Sequence, residues 1–289
     1  LKEGEIILLE NIRFFKEESE NDDEFAKKLA SLGDIYINDA FSCSHRAQAS
    51  IHKITKYINN SYAGPLLKKE VGAISSIIQN KKEPVTCIIG GSKISTKINV
   101  IMNLIKNVNN IIVVGAMANN FITFKGFKVG ESLIEKDSKS VIEQIYSKAK
   151  KYNCNIFIPE DYLVSTDFGG SGTTKEQDAV EKDEMILDIG PKTVDNIKNI
   201  IDKSNTVLWN GPAGYFENIN FLGGTLELAK KISENTTRKS LISIIGGGDT
   251  ISAINKSKDR FVFTHLSTAG GAFLEFLEGK DLPGLNVLK

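Results

Sequence analysis

No stretch of this 289-residue chain stays apolar for anything near the ~20 residues that cross a bilayer, so membrane insertion by a helix is not expected. An excess of either charge is also lacking, since 36 basic residues balance 36 acidic ones. No global field then recruits nucleic acid or an anionic membrane, and any phosphate chemistry must rest on local placement of charge. Cysteine is scarce: Cys43, Cys87 and Cys154 are odd in number, scattered and free of any CxxC pair. That excludes a disulfide framework and suits reduced thiols in a cytosolic protein. His45, His52 and His265 lack the spacing of metal ligands. Neither solenoid repeats nor low-complexity tracts occur. The opening LKEGEIILLE has no basic n-region ahead of a long apolar core, so it does not read as a signal peptide. It starts with Leu, just before an apparent strand from Ile6 to Leu9, and the expectation is that the true N-terminus is missing.

What the chain does have is a repeated strand–glycine–helix grammar. Ser240 to Asn255 reads SLISIIGGGDTISAIN. Leu241 to Ile245 suits a strand buried on both faces of a parallel sheet. Gly246, Gly247 and Gly248 let backbone N–H groups approach a ligand, and Asp249 and Thr250 open a helix whose N-terminus favours phosphate. The carboxylate could hold a cation that travels with phosphate. The same order recurs in Val85–Leu104, Asn110–Phe121, Thr206–Glu217 and Arg260–Leu277. In a doubly wound sheet such turns share the carboxyl edge of parallel strands, where ligands bind. Five of them describe a crevice for something anionic.

The remaining segments frame that crevice. Length suggests about two domains. Glu17–Leu32 reads as a helix with Phe25, Leu29 and Leu32 at helical spacing, Asp34–Phe41 as a strand running into a loop, and His45–Asn60 as loop. Leu67, Val71, Ile74 and Ile78 form one apolar face of a helix over Leu66–Gln79, which should act as a stiff connector at the domain boundary. The expected division is residues 1–66, a connecting helix over 67–80, a second domain over 81–277, and a tail over 278–289 returning to the first. Lys139–Tyr152 is an amphipathic helix leading to a strand at Asn155–Ile158, while Ser165–Lys182 reads as an exposed loop or hairpin without chemistry.

Individual residues point to phosphate. Lys93 and Lys97 follow Gly90-Gly91 at a spacing that puts both ammonium groups on one helical face. Two cations there oppose the dipole unless an anion sits between them, whereas elsewhere two surface lysines would be the default. This is no Walker A loop, because G-x-x-x-x-G-K-[ST] is absent. Asn210, Pro212 and Glu217 occupy the turn after Thr206–Trp209. Glu217 reads equally as an acceptor for ribose hydroxyls or as a solvated acid, and Trp209 reads as core. Arg13 and Arg46 stand in ENIRFF and SHRAQAS, where the planar fork suits phosphate or carboxylate, although a surface arginine is the commoner explanation for either.

The segments GGSKISTK, VGAMA, KVGESL, LDIGPKT, LWNGPAGYFE, IIGGGDT and HLSTAGGAFLEFLEGKDLPG, with ENIRFF, NDAF and SHRA, occur in the order seen in phosphoglycerate kinase, and the chain resembles that family from end to end. The resemblance implies an α/β fold of two doubly wound, Rossmann-like parallel-sheet domains joined by a helix, the first incomplete here. It implies a cytoplasmic, monomeric enzyme that moves a phosphoryl group between 1,3-bisphosphoglycerate and Mg2+-bound ADP, giving ATP and 3-phosphoglycerate. By the same resemblance Lys93 would neutralise the transferring group, with Gly270 and Gly271 presenting amides to it. Lys97, Asn210, Gly247, Gly248 and Thr250 would sit at the nucleotide phosphates, and Asp249 would hold the magnesium. Glu217 would bind ribose. Gly91, Gly115, Leu133, Ile186, Leu187 and Pro212 would line the adenine site, and Arg13 and Arg46 would hold the phosphoglycerate. Val114, Ile186, Ala269 and Gln48 depart from the usual pattern, at three glycines and a histidine. The family's first hundred or so residues, including further substrate-binding arginines, have no counterpart here, so poor turnover by this chain alone is expected. A dehydrogenase would need G-x-G-x-x-G with an acid ~20 residues on, which is absent. A non-catalytic nucleotide-binding or interaction module is the remaining alternative.

Overall fold

The computed structural model describes residues 2–78 and 81–288. Contacts divide the chain into one unit of residues 1–71 with 280–289 and a second of residues 72–279.

In the first unit the segment expected to be one helix is broken in two. A short α1 (Lys16–Ser19) is followed by α2 (Asp23–Ala30). Asn21 takes φ 54° between them, and Asp22 caps α2 by accepting the Phe25 N–H at 2.8 Å. The buried face of α2 is Ala26 and Ala30, while Leu32 falls outside the helix and is exposed. Strands β1 (Tyr36–Asn38) and β2 (Ser61–Ala63) pair in parallel, with Ile37 opposite Tyr62. Asp39 then accepts the Leu67 N–H at 2.9 Å at the start of α3 (Pro65–Ile78), and the unit boundary falls within that helix, between Val71 and Gly72. Gln79 and Asn80, at the end of the expected connector, lie outside the described residues. Residues of the C-terminal stretch dock on the first unit: the Gly284 N–H donates to Ser44 O at 2.9 Å, and Asn38 Nδ2 donates to Gly284 O at 3.1 Å. The strand expected at residues 6–9 does not form. Ile6 and Leu8 are each 96% exposed, because among the described residues no neighbouring strand pairs with this segment, and an apolar run alone makes no ladder.

The second unit is built on β3 (Val85–Ile89), α4 (Ile98–Leu104), β4 (Asn110–Val113), α5 (Ala118–Phe124), α6 (Ser138–Lys151) and β5 (Asn155–Phe157). An antiparallel excursion follows: β6 (Asp161–Ser165), β7 (Thr173–Glu176) and β8 (Met185–Ile189), in the order β7-β6-β8. The chain then returns through α7 (Pro191–Asp202), β9 (Thr206–Asn210), α8 (Gly223–Lys239), β10 (Ile242–Gly246), α9 (Gly248–Asn255), β11 (His265–Ser267) and α10 (Gly271–Leu277). The last strand is shorter than Arg260–Leu277 suggested, since the residues before His265 lie outside the ladder; Val262 N–H goes instead to Ser233 Oγ at 2.8 Å.

The main sheet is parallel throughout in the order β11-β10-β9-β3-β4-β5. The chain therefore builds outwards from β3 in one direction, then returns to β9 on the other side of β3 and builds the opposite way. The reversal between β3 and β9 is the topological switch point, and a doubly wound sheet opens its ligand crevice there. All five residues of β3 and of β9 are buried, as two covered faces require. On one face Ile88, Val207, Trp209 and Ile245 pack with Ile197 and Ile201 of α7 and Leu228 and Ile232 of α8. Strand alternation turns Cys87, Ile89, Leu208 and Ile244 to the other face, where they are equally buried.

Candidate functional site

The carboxyl ends of β3 and β9 meet with almost no space between them. Gly90 N–H donates to Asn210 O at 2.8 Å, and a Cβ on Gly90 would lie 2.3 Å from Pro212 O. Gly211, at φ 101°, faces the same backbone from the other side. The glycines at this point are needed for close approach of two strand ends, which is what lets a third party reach both.

Beside this contact opens a cavity of about 560 Å³. Gly91, Gly115, Leu133 and Ile186 line it, as do Leu187, Pro212, Glu217 and Asp249. The residues expected to enclose an adenine and its ribose are thus brought together from five separate segments. The cavity's charged liners are Glu131, Asp188, Glu217 and Asp249, all acidic. Such walls suit an uncharged group rich in hydrogen-bond donors and repel phosphate. The excursion read as having no chemistry contributes after all: Phe168 lines the cavity and packs on Tyr215 with ring centroids 4.9 Å apart. Nothing in the sequence of that polar loop distinguished Phe168. Asp188 could have been noticed as the single acid inside the apolar strand MILDI.

The cationic end lies next to the cavity. Lys97 Nζ donates to Asn210 Oδ1, and the Asn210 amide stands 2.8 Å from where a Cβ on Gly247 would be. Burial holds the Lys97 ammonium below its ordinary pKa, with Asp249 and Glu278 pulling it back up. Lys93 differs from expectation. The segment between Gly91 and Lys97 is not helical; Lys97 is the N-cap of α4 and Lys93 stands exposed in the preceding loop. The two ammonium groups are therefore not stacked by helical periodicity. That loop is held by Glu135, which accepts Ser95 N–H at 2.9 Å and Ser95 Oγ at 2.6 Å.

Gly247 takes φ 97° and leads into α9, so the first-turn amides of Gly248, Asp249 and Thr250 have no carbonyl of their own helix to bond. The hydroxyl of Thr250 is turned inward, contrary to a phosphate contact by that side chain. It accepts the Gly211 N–H at 2.7 Å and donates to Gly246 O at 3.0 Å, because the strand-end Gly211 has no ladder partner there. Its backbone N–H remains at the helix start. Asp249 is exposed beside Gly248, where added bulk would meet open space. Among the described residues no three His, Cys, Asp or Glu side chains converge on a metal position. One carboxylate is nonetheless a donor set that suits Mg2+, which commonly takes one or two carboxylates and completes its shell with substrate phosphates and water. Gly270 and Gly271 stand at the start of α10, Gly270 at φ 51° with open space around it.

In the first unit Arg13 pairs with Glu18, a fully buried carboxylate that also accepts Ser50 N–H at 2.8 Å and Ser50 Oγ at 2.6 Å. Arg46 is exposed, its Nε 3.3 Å from His45 Nε2. Gln48 is buried with its Oε1 unpartnered.

A parallel sheet that reverses at crowded glycines, with an acidic cavity on one side and a lysine and a helix start on the other, defines a doubly wound nucleotide-binding α/β protein. The chain belongs to the phosphoglycerate kinase family, whose model matches residues 1–280. It is 47% identical over 292 residues to phosphoglycerate kinase of Wolbachia pipientis wMel, covering 99% of this chain and 72% of the relative. It is 45% identical over 290 residues to that of Rhizobium leguminosarum bv. trifolii, covering 100% and 72%. The solved structure of phosphoglycerate kinase from Coxiella burnetii superposes with a TM-score of 0.89 at 41% identity, over 96% of this chain and 71% of that one. That from Pyrococcus horikoshii gives 0.82 at 30%, over 100% and 73%.

Proposed function

We propose that this chain carries the nucleotide site of a carboxyl-directed phosphotransferase, taking phosphoryl from 1,3-bisphosphoglycerate to MgADP to give ATP and 3-phosphoglycerate. The observation that carries the reading is the polarity of the site: an acidic, largely apolar cavity runs into a cationic helix start within one crevice. A nucleotide is complementary to it, with an uncharged, donor-bearing base and ribose at one end and anionic phosphates at the other. Gly91, Gly115, Leu133, Ile186, Leu187 and Pro212 enclose the base, and Glu217 accepts from ribose hydroxyls. Lys97, Asn210, Gly247, Gly248 and the Thr250 amide hold the phosphates, with Asp249 as the protein ligand of magnesium. The metal neutralises phosphate charge when bound; everything else is done by positioned donors. Lys93 and the amides of Gly270 and Gly271 would stabilise the phosphoryl group in transit, in a reaction that needs positioning and charge stabilisation without a covalent intermediate. Arg13 and Arg46 would bind the phosphoglycerate, Arg13 being oriented by Glu18. The protein would act as a monomer in the cytoplasm, in two domains divided near residues 66–80; among the described residues no helix is long and apolar enough to cross a membrane.

Calorimetric titration with MgADP tests this. Micromolar to millimolar binding is expected, and no binding refutes it. Turnover of 1,3-bisphosphoglycerate is then measured in this chain and in a chimaera extended with the remaining residues of the Wolbachia relative. Binding without turnover in the chimaera would favour a non-catalytic module.

A further inference from the structure

Asp188 is a titratable group that the proposed chemistry does not use. It sits next to last in β8, is 2% exposed, and has no Lys or Arg partner among the described residues. Its carboxylate accepts Ile189 N–H at 2.9 Å and Gly224 N–H, in the first turn of α8, at 2.8 Å. A buried carboxylate with no counter-cation destabilises a fold at neutral pH, so a purely structural position would favour a neutral side chain. Groups kept at such a cost concentrate at functional sites.

The surroundings show what it does. Its carboxyl fills the gap between Gly214 and Gly224, where a Cβ on either glycine would approach it to 2.5 Å. On one side of Asp188, Leu187 O accepts the Tyr215 N–H at 2.6 Å. On the α8 side, Thr225 Oγ1 accepts the Ala213 N–H at 2.9 Å. The stretch from Gly211 to Glu217, which carries Pro212 and Glu217 into the cavity, is thereby seated on β8 and on the first turn of α8. We propose that Asp188, together with Thr225, is a positioning residue that sets the seat of the 211–217 loop and so the fit of the base-and-ribose end of a nucleotide. This rests on the nucleotide reading of the cavity. Asp188 touches no phosphate group; it acts through Gly224, Gly214 and the loop above them.

The prediction is a selective defect. An amide at position 188 presents an NH2 group to one of the two backbone N–H donors, so the seat is lost without a change of size. Asp188→Asn should weaken MgADP binding about tenfold, the order expected for one lost charge-assisted hydrogen bond. Magnesium pyrophosphate, which probes only the Lys97–α9 end, should bind within about twofold of the unaltered chain. Thr225→Val should show the same selectivity, and Thr225→Ser, which keeps the hydroxyl, should restore MgADP affinity. Calorimetry with both ligands reads all of this, and the Thr225 pair decides the matter if Asp188→Asn does not fold. Equal MgADP affinity in unaltered chain and variants overturns the proposal, as does parallel loss of both ligands, which would mean general damage. Failure of the unaltered chain to bind MgADP refutes the nucleotide site itself, a separate outcome.

Discussion

Asp188 makes stability depend on pH in an unusual direction, and the size of the effect follows from its surroundings. Burial pushes the carboxyl up to about 7 from an ordinary 3.8, against the N–H groups of Gly224 and Ile189, which pull it down. Between those values the folded state keeps a proton that the unfolded chain releases, so stability falls as pH rises. The favourable contribution is complete below about 4 and is lost as pH climbs through 7. A gap of about three pH units at about 1.36 kcal/mol each gives a total near 4 kcal/mol, of which roughly 2.5 kcal/mol falls between pH 5 and 8.5. Asp188→Asn removes the titration. Its stability relative to the unaltered chain should therefore improve by about 2.5 kcal/mol across that range, whatever constant cost the amide adds. Shared titrations cancel in the difference. The assay is urea unfolding followed by tryptophan fluorescence, since the single Trp209 is fully buried in the second unit's core and reports that unit alone. A stability difference that stays flat within about 0.5 kcal/mol from pH 5 to 8.5 refutes the reasoning.

Three further outcomes are expected. Gly90→Ala should destabilise the second unit by about 1–3 kcal/mol in the same urea assay, because the added Cβ meets Pro212 O at 2.3 Å and that contact is backbone on both sides; an unchanged midpoint would show that the strand ends are not so tightly joined. Lys97→Met should weaken MgADP binding at least tenfold by calorimetry while raising stability slightly, since a desolvated ammonium is removed from beside Asn210; unaltered affinity would place the phosphates elsewhere. Asp249→Ala should abolish the dependence of nucleotide affinity on magnesium and leave the far-ultraviolet dichroism intact, and a preserved magnesium response would remove Asp249 from the metal's coordination.

Local chemistry was readable along the chain wherever the signal is itself local. Buried parallel strands announce themselves by runs of apolar and β-branched residues, and strands formed at Val85–Ile89 and Thr206–Asn210 where such runs stand. Glycine after such a strand predicts a turn, and Gly247 and Gly211 adopt the positive φ that requires it. Readings that needed a partner fared differently. Ile6–Leu9 has strand composition, and among the described residues no strand pairs with it. Lys93 and Lys97 have helical spacing, but the helix starts only after Lys97, and the loop before it is tied to Glu135 through Ser95. Thr250 follows glycines whose pattern suggests phosphate binding, yet the N–H of Gly211, just past the end of β9, takes its hydroxyl.

The sequence by itself determined the parts: a succession of parallel strands, each followed by a small-residue turn and a helix start, and enough motif order to indicate a family. Periodicity and backbone freedom are properties of a few consecutive residues, so they survive without the fold. Only the tertiary structure decided that β3 and β9 are neighbours at the switch point, that Phe168 walls the cavity, and that Asp188 is almost wholly buried without a cationic partner among the described residues. Strand order, close approach and local dielectric depend on residues distant along the chain, and packing alone sets them.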